Sequence, residues 1–178
     1  MFRVIYFAVF ALLLGTAADA RATTKPLSNA QESGVRVCAQ AIQRESEIFL
    51  KDKPHESHDF VSPVEREIDK RPFFSMSFSG YPDVGISHIN ITATPSQVGR
   101  RKTKCDVHVT ETFLSPTTCQ EWSRNLSAAQ GFEVLPLARD IVLLQNRGEA
   151  SIFTQYYLTE AVDNRGCLVT RRRTAYER

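Results

Sequence analysis

Phe74-Ser75-Met76-Ser77-Phe78 alternates large apolar with small polar side chains. Successive strand side chains point to opposite faces, so a period of two predicts a half-buried β-strand with its apolar members toward the core. Working outward, Gly80-Tyr81-Pro82-Asp83 reads as a turn. Ile89 and Ile91 then alternate with His88, Asn90 and Thr92 up to Pro95-Ser96. Cys105, Val107 and Val109 next alternate with Asp106, His108 and Thr110. Three sequential strands with short links predict an antiparallel meander, covered on one face and wet on the other.

Upstream, the apolar positions Val35, Cys38, Ala39, Ile42, Ile48 and Phe49 recur at helical spacing, predicting a helix over residues 31–50 that Pro54 ends. Residues 54–72 read as a long charged connection, and 21–30 as a flexible lead-in. Downstream, Ser115-Pro116-Thr117-Thr118 precedes Glu121 in the spacing of a capping box, predicting a helix to about Gln130 that stops at Gly131. Its inward stripe would be Cys119, Trp122, Leu126 and Ala129. An edge strand and a second strand within Val134–Leu144, a strand over Ile152–Leu158, the turn Asp163-Asn164-Arg165-Gly166 and a last strand over Cys167–Thr174 complete the chain. The expected fold class is therefore α+β. An antiparallel sheet of about six to seven strands carries two packed helices, in an order that hints at a helix-plus-meander pseudo-repeat.

Residues 1–20 have the layout of a cleavable signal peptide. Arg3 precedes the uncharged run Val4–Leu14, and small residues follow at Ala18 and Ala20. The run falls short of the ~20 residues that span a bilayer. Residues 31–178 are then a single exported domain, periplasmic or secreted, with no transmembrane segment after cleavage. The net charge of +2 argues for neither nucleic-acid nor membrane binding. All four cysteines, Cys38, Cys105, Cys119 and Cys167, lie in the mature region, and an even count in an oxidising compartment reads as two disulfides. Four cysteines allow three pairings. Cys105 with Cys119, leaving Cys38 with Cys167, is the expected one, because the first two are close in sequence.

Catalytic and cofactor chemistry has thin support. His55 and His58 are three residues apart in a proline-framed stretch with no acidic pair placed to complete a metal site. There is no G-x-S-x-G elbow, and an even cysteine count leaves no thiol for a nucleophile. No cofactor is expected. His88 and His108 fall on the polar sheet face and Glu111 on the apolar face with Val107 and Val109, which marks the three as the candidates for an envelope hydrolase. Arg171-Arg172-Arg173 must point to both faces of a strand, so an edge or emerging terminus is expected there, with docking of an acidic partner as the functional alternative. RNP-like interleaving of basic and aromatic residues is absent, which disfavours nucleic acid. Asn90-Ile91-Thr92 and Asn125-Leu126-Ser127 match the glycosylation pattern, of consequence only in a eukaryotic host, whereas the signal peptide leans bacterial. The expectation is a small non-enzymatic binding protein, an inhibitor or immunity-type partner of another envelope or extracellular protein. Arg171, Arg172, Arg173, His88 and His108 are its candidate binding residues, and the hydrolase and an envelope assembly factor are the alternatives.

Overall fold

The computed structural model describes residues 23–81, 85–98, 102–146, 151–161 and 166–177. The expected signal peptide at 1–20, Pro82-Asp83 of the first expected turn and most of the turn at 163–166 lie outside the described residues. Helices α1 (Lys25–Glu32) and α2 (Ala39–Leu50) lead into β1 (His55–Phe60), a 3₁₀ helix (Glu65–Lys70), β2 (Phe73–Tyr81), β3 (Gly85–Val98) and β4 (Lys102–Ser115). Then come α3 (Cys119–Gln130), β5 (Glu133–Ala138), β6 (Ile141–Asn146), β7 (Ile152–Glu160) and β8 (Cys167–Ala175). The strands form one antiparallel sheet in the order β1-β2-β3-β4-β8-β7-β6-β5.

The class is α+β as expected, but among the described residues the strands number eight, not six to seven, and three α-helices plus a 3₁₀ helix replace the expected two. The eighth strand, β1, lies within the stretch read as connection. Its alternation is of polar residues, so hydrophobicity did not reveal it. The expected lead-in is also structured. Pro26 preorganises the first turn of α1, Leu27 and Ala30 are buried, and Thr24 Oγ1 lies 2.6 Å from Ser46 Oγ on α2.

Each half of the molecule places helix before a four-stranded meander, α1 and α2 in the first and α3 in the second, and the two halves meet where β4 lies antiparallel to β8, from Val107 opposite Ala175 to Ser115 opposite Cys167. In each half a disulfide ties the start of the helix to the last strand: Cys38–Cys105 and Cys119–Cys167, with Cα separations of 5.2 and 4.9 Å. This overturns the pairing expected from sequence proximity. Cys105 sits near one end of β4 and Cys119 beyond the other, and at about 3.3 Å per residue an extended strand holds them roughly 30 Å apart.

Helix α3 starts as read: Thr118 accepts from the backbone N–H of Glu121, and the Glu121 side chain returns to Thr118 N. Gly131 ends it in the left-handed region at φ 64°. Cys119 and Leu126 are buried and Trp122 half-buried, but Ala129 is exposed, because the helix shows the sheet only a narrow stripe.

The decisive stretch forms β2 in the expected alternation but with the opposite face inward. Ser75, Ser77 and Ser79 are buried beneath the helices, while Phe74, Met76 and Phe78 point away from them. Packing explains the inversion. Small side chains let α1 approach β2 closely, and two of the serines meet partners there: Ser77 Oγ lies 2.7 Å from Ser57 Oγ, and Ser79 Oγ donates to Pro54 O at 3.2 Å. The apolar core is supplied by neighbours on the same face, among them Phe73, Ile89, Ile91, Val107 and Val109, under Ile42, Phe49 and Leu50 of α2.

Candidate functional site

The described helices all pack on one face of the sheet, and among the described residues no element covers the other. That bare face carries Phe60 (54% exposed), Phe74 (45%), Met76 (36%) and Phe78 (40%) at one flank. Phe60 and Phe74 are directly opposite on β1 and β2, and Met76 and Phe78 continue the row along β2. At roughly 150–250 Å² per large side chain these exposures leave about 350 Å² of contiguous apolar surface, within the size range in which monomer surface patches are often functional. Polar residues rim it. His58 meets the Phe60 ring edge-on at 4.9 Å, and His88 meets Phe78 in the same way at 4.9 Å. Asn90 and Thr92 lie opposite Met76 and Phe74.

At the corner where β1 ends, Phe60, Val61, Pro72 and Phe74 wall a cleft of about 410 Å³, with Ser62, Glu67 and Arg71 on its polar side. Arg71 Nε contacts Glu67 Oε2 at 3.3 Å across one turn of the 3₁₀ helix.

The expected site residues separate. His88 and His108 both point to the bare face, but His108 faces Thr92 whereas His88 faces Thr112, so four residues of strand, about 13 Å, divide them. His108 Nδ1 lies 2.9 Å from Thr174 Oγ1. Glu111 points the other way, into the helix-covered side, in regular register opposite Arg171. The hydrolase trio thus spans both faces of the sheet. His55 and His58 alternate on β1, so they cannot share a metal. His55 is already occupied, accepting at Nε2 from Lys25 N–H (3.1 Å) while Nδ1 lies 2.7 Å from Lys53 O. Among the described residues no group of three His, Cys, Asp or Glu side chains is gathered as a metal site.

The arginine run is not at an edge. Strand β8 lies between β4 and β7, and only Arg172 faces the open side. Arg173 Nε donates to Glu45 Oε2 of α2 at 2.7 Å, and Arg171 Nη1 lies 3.9 Å from Glu111 Oε2. The Arg171 guanidinium also stacks 4.4 Å from the centroid of Phe49. Two buried carboxylates therefore neutralise a charge pattern that read as solvated. This polar belt divides the core under α1 and α2 from a second core under α3, built from Leu126, Phe132, Leu144, Tyr156, Leu158 and Val169. Burial lowers the pKa of Lys53 at its margin, with Glu111 opposing and Arg171 reinforcing the shift, and burial raises that of the Tyr156 phenol. An exposed pair, Lys25 with Glu56, lowers the glutamate's pKa through its hydrogen bond.

The apolar corner escaped the sequence reading because the alternation of β2 does not say which face the helices take. The one available signal was the serine set, since three small side chains in register can seat a helix as well as they can face water.

Two disulfides are compatible with an oxidising, non-cytoplasmic compartment. No helix among the described residues is long and apolar enough to cross a membrane. Comparison with protein-family models, with curated proteins and with solved structures finds no match to this chain.

Proposed function

We propose that this is an exported binding protein, periplasmic or secreted, that holds another envelope or extracellular protein against the bare face of its sheet. The inverted burial of β2 carries the reading: serines are sealed under the helices while Phe74, Met76 and Phe78 stand in solvent beside Phe60. A contiguous aromatic and thioether surface of about 350 Å² is of the size that marks interaction sites on many monomers. An apolar centre of that area rimmed by His58, His88, Asn90 and Thr92 has the anatomy of a standard interface of about 800 Å² per partner. An inhibitor or immunity-type protein uses such a surface without catalysis.

The test is capture from envelope extract by oxidised wild type and by Phe74→Ser/Phe78→Ser, with circular dichroism confirming that both are folded. A stoichiometric protein retained by wild type and lost by the double variant supports the reading. Equal retention by the two refutes it.

A further inference from the structure

The cleft at the corner of this face specifies the part of the partner that enters it, an inference that rests on the binding-face reading above. Phe60, Val61, Pro72 and Phe74 supply apolar walls around about 410 Å³, room for one large side chain and its backbone. Among the described residues Arg71 is the cation lining the cleft. Its side chain is 64% exposed, and its contact with Glu67 is a single one through Nε at 3.3 Å. An exposed pair of that kind holds weakly. It occupies one of five guanidinium donors, so the outer edge of the fork can grip a carboxylate in two parallel bonds.

We propose that the cleft takes the C-terminal residue of the partner chain, an aromatic or large aliphatic side chain seated among the four apolar walls with its carboxylate on Arg71. Both features line one small cleft, so apolar body and negative charge must share a residue, which a chain terminus provides. A second copy of this chain is the wrong occupant, because about 350 Å² of apolar patch falls well below what permanent homodimers bury. The patch and cleft together suit the anchor of a smaller interface, in which one residue in a pocket dominates binding.

The experiment titrates the oxidised protein by heteronuclear NMR with N-acetylphenylalanine and, separately, with its neutral amide. The acid is expected to shift the amide signals of Phe60, Val61 and Phe74 saturably, with the neutral compound about fivefold weaker. Arg71→Gln should bring the acid down to the affinity of the amide. Glu67→Gln, which removes the competing carboxylate, should strengthen the acid about two- to threefold. The neighbouring exposed Arg66→Gln should change neither, which separates a docked carboxylate from general attraction. Equal affinity for acid and amide, or no saturable shift at these residues, overturns the proposal. If Phe74→Ser/Phe78→Ser abolishes capture while the acid does not bind, the cleft inference fails and the binding face stands. If the acid binds at Arg71 while capture survives the double variant, the captured protein is not the cleft's occupant and the inference falls with the face.

Discussion

Replacing Glu45 by alanine tests whether the polar belt holds the two halves together. Glu45 is fully buried on α2, and its Oε2 receives Arg173 Nε at 2.7 Å from a strand 128 residues later. Its second contact, Arg44 Nε at 3.1 Å, comes from a half-exposed side chain and contributes little. In Glu45→Ala the Arg173 guanidinium keeps its charge but loses its acceptor, at a position where its side chain is 17% exposed. Breaking a buried pair in this way costs 3–5 kcal/mol, and the residual exposure of Arg173 places the expectation near 3 kcal/mol. For a domain of this size that corresponds to a fall in Tm of roughly 6–12 °C. Glu45→Leu/Arg173→Met removes both charges with similar volume and should recover to within about 1 kcal/mol of wild type. Thermal and urea unfolding of the oxidised proteins, followed by circular dichroism, measure both. A fall below about 2 °C in Glu45→Ala, or a double variant as unstable as the single one, would show that the belt does not carry this load.

Ser77→Leu, which puts a large side chain where Ser77 is fully buried against Ser57, should lower the urea midpoint by the equivalent of about 3 kcal/mol, while Met76→Ser one residue away should change it by less than about 0.5. The reverse order would mean that the helices cover the other face of β2. Non-reduced peptide mapping should recover Cys38 joined to Cys105 and Cys119 joined to Cys167, and removing either bridge by paired serine substitution should cost about 4 kcal/mol for loops of 67 and 48 residues. Burial lowers the folded pKa of Lys53 below its ordinary 10.5, so the unfolded chain binds the extra proton and wild type should gain stability relative to Lys53→Met as pH rises toward 10.5. Paired urea titrations at neutral and alkaline pH measure that difference, and a loss instead of a gain would contradict the assigned burial.

Local pattern made much of the fold legible: the alternations of β2, β3 and β4, the Thr118–Glu121 cap and the stop at Gly131 depend on residues a few positions apart. What the sequence hid depends on contacts distant along the chain. Ser75, Ser77 and Ser79 read as solvent-facing because nothing nearby records that α1 settles on them. Arg171 and Arg173 read as exposed because Glu45, which neutralises one of them, lies on the opposite side of the fold in sequence. Of the candidate binding residues, His88, His108 and Arg172 do reach the bare face, yet the apolar corner beside them has the sequence pattern of a core.

The seam between β4 and β8 gives these misreadings a common cause. A four-stranded meander alone exposes its last strand as a free edge, open to pairing with other chains. Joining the two meanders through β4 and β8 removes both edges at once, leaving only β1 and β5 at the margins. Those margins are guarded locally. Lys25 and Asn29 of α1 bond to His55, Glu56 and Asp59 along β1, while β5 carries Pro136 and a register shift before Ala138. The seam itself falls in the gap between α2 and α3, where neither helix supplies a full apolar lid. Arginines suit such a place, because the Arg171 guanidinium lies over the Phe49 and Tyr156 rings while Arg173 and Arg171 meet the carboxylates of Glu45 and Glu111. The arginine run thus belongs to the interior of the sheet, where Arg171 and Arg173 bridge the seam to Glu111 and Glu45.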